Sequence, residues 1–226
     1  MADLEEHHAR LSRIPNESRR RRLHNQHIVS FLYGIDQGST FRNRERCLEI
    51  GCGFGLMLGD LAEKYGIIPF GIDACEPREG ESVPDGVDFR VAKAEQLPFE
   101  TGTFQSAVSY FVLPYVPDRL KAVSEVHRVL AVGGVGILDF DNAVSHDSYT
   151  CLGSENTFPG IESVRKQYDP DEQLSVQSVP ILSPLGRPVR KCQRVIVRKK
   201  SGELKFPELK SFKTKPGNFP LATSYY

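Results

Sequence analysis

The chain has 226 residues, 39% of them hydrophobic and 26% charged, and its basic and acidic side chains balance to a net charge of zero. That is enough apolar material for one α/β domain with its own core. No stretch approaches the roughly 18 apolar residues that a membrane-crossing helix requires.

In chain order, the N-terminus "MADLEEHHARLSRIPNESRRRR" lacks the apolar centre of a secretory signal. Residues 17–33, "ESRRRRLHNQHIVSFLY", read as a helix stopped by Gly34, with Leu23, His27, Ser30 and Phe31 near one face. A polar loop leads to "CLEI", a strand whose apolar character suggests burial on both faces, as in a parallel sheet. Leu58, Leu61, Ala62 and Tyr65 then follow helical spacing up to Gly66. "IIPFGID" reads as a second strand, in which Pro69 is tolerable near the start or where its missing donor is not needed.

"VDFRVA" and "FQSAVSYFVL" supply strands three and four, joined by the turn-rich "EQLPFETGTF". "DRLKAVSEVHRVL" is an amphipathic helix, ended by Gly133 and Gly134 before a fifth strand, "GVGILDF". This alternation predicts crossover units and a parallel sheet. Further on, "SENTFPGIESVRKQY" reads as a short helix. "EQLSVQSVPIL" and "RKCQRVIVRKK" read as two strands with no room for a helix between them, hence antiparallel partners. Beyond Ser201 lies a proline-containing, aromatic tail.

The charge is unevenly spread. Residues 187–215 hold eleven Lys or Arg against two acids, and residues 1–46 hold nine Arg against six. Residues 47–186 therefore carry about twelve net negative charges. The basic C-terminal region is a candidate surface for nucleic acid or an acidic protein. The five cysteines, Cys47, Cys52, Cys75, Cys151 and Cys192, follow no metal spacing and form no even disulfide set. A reduced, cytoplasmic chain without a metal site is the expectation.

The chemistry concentrates at "CLEIGCGFGLMLGDLAEKYG", where strand one hands over to a helix through Gly51, Gly53 and Gly55. Three glycines suggest a backbone cleared of side chains so that a ligand can lie against it. The turn lacks the Gly-Lys-Ser/Thr ending of a phosphate loop and reads G-x-G-x-G rather than G-x-G-x-x-G. Asp73 ends the second strand, 22 residues after Gly51, where a carboxylate can accept hydrogen bonds from ribose hydroxyls. Glu49 adds negative charge beside the turn, which disfavours a pyrophosphate and favours a ligand bearing an amino group. An adenosine-type ligand without phosphates fits both residues, which favours S-adenosylmethionine over NAD.

"LEIGCGFG", "GIDACE", "AEQLPFETGTFQSAVSYFVLPYVPD" and "EVHRVLAVGGVGILDF" together resemble the class I S-adenosylmethionine-dependent methyltransferases, specifically the small-molecule and lipid type. The resemblance spans about residues 46–141 and implies a Rossmann-like three-layer sandwich. Its seven-stranded, mostly parallel sheet would end in an antiparallel last strand. The resemblance divides the chain into an N-terminal helical cap at 1–46, the methyltransferase domain at 47–200 and a basic, aromatic tail at 201–226. Carried over by position, Gly51, Cys52, Gly53 and Gly55 line the methionine part of the cofactor, with Glu49 near its amino group. Asp73 holds the ribose, Ala74 lies against the adenine, and Ala94 and Glu95 flank its edge. Tyr110 and Phe111 close over the transferred methyl.

Two positions depart from the family pattern: Lys93 stands where Asp is usual before "AE", and Gln105 where Asp commonly follows Phe104. The segment after strand four often holds a His in relatives, but Tyr115 stands here, either orienting a substrate or simply packed. His146, in "NAVSHDSY", is the best-placed candidate base, against an ordinary exposed loop histidine. His24 and His27 belong to the candidate N-terminal lid, and His127 reads as structural. The expected reaction is methyl transfer to an oxygen or nitrogen atom of a small molecule. The rivals are an RNA- or ribosome-directed methyltransferase and a non-catalytic or repurposed member of the fold.

Overall fold

The computed structural model describes residues 28–29, 31–77, 82–110, 112–113, 116–141, 173–182 and 187–200. Ile28, Val29, Phe31 and Leu32 are helical, and Gly34 ends that segment with φ +70. The rest of the predicted 17–33 helix, the short helix expected at 154–168 and the tail lie outside the described residues.

The ordered elements are α1 (Gln37–Thr40), β1 (Arg46–Ile50), α2 (Leu56–Tyr65), β2 (Ile68–Asp73), β3 (Asp88–Val91), β4 (Phe104–Tyr110), α3 (Arg119–Val129), β5 (Leu130–Asp141), β6 (Leu174–Leu182) and β7 (Pro188–Arg198). Seven strands form one sheet in the order β3-β2-β1-β4-β5-β7-β6. The pairs among β1 to β5 are parallel, and β7 runs antiparallel to both β5 and β6. This is the mostly parallel sheet with an antiparallel last strand that the sequence led us to expect.

Alternation along the buried strands feeds two apolar layers. Leu48, Ile50 and Ala107 point towards α3, packing with Val123, Val126 and Leu97. Cys47 and Val108 point the other way, towards Phe31, Met57, Leu58 and Leu61. Fully burying a side chain such as Leu48 or Leu58 stabilises the fold by about 1.5–3 kcal/mol. The segment around Phe31 therefore shares a core with α2.

Pro69 is accommodated as its position near the strand start suggested. The Ile68 N–H donates to the Glu45 carbonyl, so the neighbouring Pro69 nitrogen faces the β3 side. There β3 begins only at Asp88, opposite Phe70, and no ladder bond is lost. The helix α3 ends earlier than its sequence pattern suggests. Leu130 is already extended (φ −68, ψ 140) and opens a 12-residue strand that runs through both glycines. A Cβ on Gly134 would sit 2.8 Å from the Ala131 carbonyl oxygen, so this glycine permits a close backbone approach inside the strand.

Candidate functional site

The site lies at the carboxyl ends of β1, β2 and β4, where the strand order reverses direction about β1. The turn between β1 and α2 is anchored from below: the N–H groups of Gly51 and Cys52 both donate to the Ile72 carbonyl, at 2.8 and 3.0 Å. Gly51, Gly53 and Gly55 all have positive φ, at 72°, 56° and 82°, which side-chain-bearing residues rarely adopt.

The three glycines differ in what surrounds them. A Cβ on Gly51 would meet the Val112 side chain at 2.2 Å, so its bareness admits a neighbour from the segment after β4. A Cβ on Gly55 would make ordinary contact with Pro84 at 3.5 Å. Of the three, Gly53 is the one with nothing within 4 Å of its missing Cβ among the described residues. The clearance expected for a ligand is thus centred on Gly53. Cys52 turns its side chain into the core, 8% exposed, with its sulfur against Gly71. Its contribution to the turn is therefore made by the backbone.

Two acids flank the turn. Asp73, 7% exposed, accepts the Gly53 N–H on one carboxylate oxygen at 2.9 Å and the Cys75 N–H on the other at 3.2 Å. A carboxylate offers about four acceptor positions, so each oxygen retains capacity for a further donor. Glu49, 6% exposed, has one oxygen (Oε2) buried with no hydrogen-bond partner among the described residues. Burial, and then the neighbouring Asp73 charge, push the Glu49 carboxyl well above its ordinary range, against the pull of the Leu58 N–H. An orphaned buried carboxylate oxygen costs folding free energy of about 1–3 kcal/mol, and more if charged. A ligand ammonium group would relieve that cost, so these two acceptors fit an amino-acid-bearing nucleoside.

Burial pushes the Cys47 thiol up to about 12 and raises that of Cys52 as well, so both are protonated near neutrality. Neither acts as a thiolate nucleophile in that state. The buried Cys47 and Cys52 are free thiols, and no metal-binding cluster occurs among the described residues.

The loop 94–99 carries the other predicted contacts. Ala94 is buried, and Glu95 accepts the Asp118 N–H at 3.4 Å. This loop is held from α3 by a pair that the sequence did not single out. Glu125 accepts the Leu97 N–H at 2.9 Å, and Arg128 donates to the carbonyls of Phe99 and Leu97 at 2.8 and 3.0 Å. The two side chains also form a two-bond pair, Arg128 Nε and Nη2 donating to the two Glu125 carboxylate oxygens at 2.7 and 2.8 Å. The spacing of acid and base three apart in "EVHR" was the available signal.

Ala74 is exposed beside Asp73, and Tyr110 is half-buried at the end of β4. Lys93 is exposed. Gln105 spends its side-chain carbonyl on the Arg46 N–H at 2.9 Å, fixing the start of β1. His127 is buried and bonded to Gln173 at 2.9 Å, the structural role expected of it. Phe111, Tyr115, His146, His24 and His27 lie outside the described residues. The structure therefore brings together Glu49, the glycine turn and Asp73, with Ala74 next in the chain; Tyr110 ends β4, and Ala94 and Glu95 lie in the loop after β3.

A parallel sheet with β7 reversed and an acid-flanked glycine turn at its switch point defines the Rossmann-like architecture of class I methyltransferases. Residues 48–138 match the family described as "Methyltransferase domain".

Among relatives, the chain is 29% identical to the sterol 4-C-methyltransferase strm-1 of Caenorhabditis elegans, over 54% of this chain and 43% of the relative. It is 30% identical to the chloroplastic tocopherol O-methyltransferase of Arabidopsis thaliana, over 45% of this chain and 31% of that one. With the norajmaline N-methyltransferase of Rauvolfia serpentina it shares 28% identity, over 64% of this chain and 50% of the relative. The matched region thus spans half or less of each relative's length. Among solved structures, the Haemonchus contortus phosphoethanolamine N-methyltransferase 2 in complex with S-adenosyl-L-methionine superposes with a TM-score of 0.58. That match has 16% identity and covers 78% of this chain and 53% of the other. At such identity the likeness is one of fold. Among the described residues no helix is long and apolar enough to cross a membrane.

Proposed function

We propose that the protein is a methyltransferase that uses S-adenosylmethionine to methylate an oxygen or nitrogen atom of a small molecule. The observation that carries this reading is the buried Glu49 oxygen, without a hydrogen-bond partner among the described residues, beside a turn whose Gly53 has no described neighbour at its missing Cβ. The names of the relatives, which act on a sterol, a tocopherol and an alkaloid, support a small and largely apolar acceptor.

In this reading the cofactor supplies an already activated methyl group on a sulfonium. Glu49 would hold the ammonium of its methionine part. Asp73, fixed by the Gly53 and Cys75 amides, would accept from the ribose hydroxyls. Ala74, Ala94 and Glu95 would border the adenine, while Tyr110 and Phe111 would face the methyl. The protein's contribution is mainly alignment and exclusion of water. Where the acceptor is protonated, His146 is the proposed base and Tyr115 the proposed orienting group. A reducing, cytoplasmic setting belongs to the proposal, supported by the buried free thiols of Cys47 and Cys52.

The test is methyl transfer from radiolabelled S-adenosylmethionine to a panel of sterols, prenylated phenols and amines, with transfer RNA and ribosomal RNA as parallel acceptors. Incorporation into a small molecule, lost in Asp73→Asn, supports the reading. Incorporation into RNA alone replaces it with the nucleic-acid reading, and incorporation into none with a site on the methyltransferase fold that has another use.

A further inference from the structure

The largest fully buried side chain among the described residues is a cation, Arg194, 1% exposed in the middle of β7. Its guanidinium forms a two-bond ion pair with Asp139 of β5, at 2.6 and 2.8 Å. Two further donors leave the sheet altogether: Nη1 reaches the Tyr33 carbonyl at 2.8 Å and Nη2 the Phe31 carbonyl at 2.6 Å. These carbonyls belong to the end of the helical segment before Gly34, where backbone acceptors lack intrahelical partners and a cation is favoured. Arg194 also stacks over the Phe31 ring, 5.4 Å from its centroid.

The register explains why this matters to the site. Tyr110, Asp139 and Arg194 face one another in a single row across β4, β5 and β7. Continuing the β1 register past Glu49↔Val108 and Glu49↔Gly71 brings Gly51 opposite both Tyr110 and Asp73. The buried ion pair therefore stands level with the glycine turn and the acid of β2. Phe31 lies across this row, its ring edge-on to Tyr110 at 5.6 Å. Phe31 and Leu32 pack in the same apolar cluster as Cys52 and Met57, which belong to the turn and the start of α2.

We propose that Arg194 is a positioning residue: it clasps the segment around Phe31 onto the row Tyr110–Asp139 and thereby fixes one wall of the site beside the glycine turn. The clasp joins residues more than 160 positions apart, so β7 determines where the helical segment before Gly34 sits. A Lys in its place keeps the charge opposite Asp139 but lacks the planar fork needed to reach Asp139 and both carbonyls at once. The consequence for ligand binding rests on the methyltransferase reading; the clasp itself does not.

The experiment compares the full-length wild type with Arg194→Lys and with the double variant Arg194→Met/Asp139→Leu, which removes both charges together. Hydrogen exchange by mass spectrometry reads residues 31–41, and calorimetry reads S-adenosylhomocysteine binding. Circular dichroism confirms the sheet. The clasp predicts at least ten-fold faster exchange at 31–41 in whichever variant retains the sheet, with at least ten-fold weaker S-adenosylhomocysteine binding. Asp73→Asn, the control, weakens binding without changing exchange at 31–41. Unchanged exchange in a folded variant overturns the clasp, and faster exchange with unchanged affinity overturns its role at the site. A wild type that binds no S-adenosylhomocysteine sinks the methyltransferase reading and the positioning of that ligand with it, while the exchange data still decide whether the clasp exists.

Discussion

Asp73 at the tip of β2 is held by Gly53: the glycine's N–H donates to one carboxylate oxygen at 2.9 Å, across the opening between β1 and β2. The acid proposed to bind the ribose and the glycine proposed to admit the ligand are thus one hydrogen-bonded unit.

Gly51 and Gly53 should separate stability from binding. Both have positive φ, so Ala at either position costs about 1–2 kcal/mol of backbone strain. Gly51→Ala also drives a methyl into Val112, at 2.2 Å, and should lose a further 1–3 kcal/mol or so through overpacking. Chemical denaturation should show the larger loss for Gly51→Ala, and Val112→Ala should restore part of it. Gly53→Ala should keep more stability while weakening S-adenosylhomocysteine binding at least ten-fold. Equal stability losses in the two variants would show that Val112 does not constrain the turn.

Glu49 sets a pH dependence whose sign is fixed by its environment. Its folded pKa lies above its unfolded value, because burial and Asp73 disfavour the charge. Its favourable contribution to the unliganded fold is therefore complete below the unfolded pKa of about 4.5 and is lost as pH rises through the folded pKa. Glu49→Gln should stabilise the unliganded protein at pH 8 relative to wild type, with little gain at pH 4.5. A ligand ammonium favours ionised Glu49, so binding should release a proton below the folded pKa. Calorimetry in two buffers of different ionisation enthalpy measures that proton, and its persistence in Glu49→Gln would assign it elsewhere.

Glu125 and Arg128 should be read out in the loop they hold rather than in α3. Removing Glu125 strands the Leu97 N–H and releases Arg128, costing about 1–3 kcal/mol. Burial raises the Glu125 carboxyl, but the Arg128 and Leu97 hydrogen bonds outweigh it, and the net pKa lies below the ordinary value. This contribution is present above the unfolded pKa and lost as pH falls through the folded one. Glu125→Ala should lower the thermal midpoint at pH 7 and narrow its gap from wild type on acidification. Faster exchange confined to residues 94–99 would locate the effect; exchange changes confined to α3 would contradict it.

The sheet was legible because its strands are short apolar runs bounded by turns, and because nothing helical fits between β6 and β7. Glu49 and Asp73 were legible because their places at the ends of two successive strands are fixed by the chain's order. The partner of Gly51 was not, since Val112 arrives from the far end of β4 and no local pattern announces a contact 61 residues away. The start of β5 was misread because Leu130 fits the helical pattern equally well until tertiary pairing extends it. Arg194 was concealed by arithmetic: it counted towards the basic excess of residues 187–215, yet it is buried and paired with Asp139. Lys199 is hidden the same way, 7% exposed with its ammonium on the Arg128 carbonyl. Charge counts treat every cation as solvated, and two of these are structural.

The most direct test of the account is a calorimetric titration of the wild type and Asp73→Asn with S-adenosylhomocysteine at pH 7.5. The account predicts micromolar binding by the wild type, corresponding to roughly 8 kcal/mol, and at least a ten-fold loss in the variant. Absence of binding up to millimolar concentration, or equal affinity in the two proteins, would contradict the assignment of the glycine turn and Asp73 as the cofactor site.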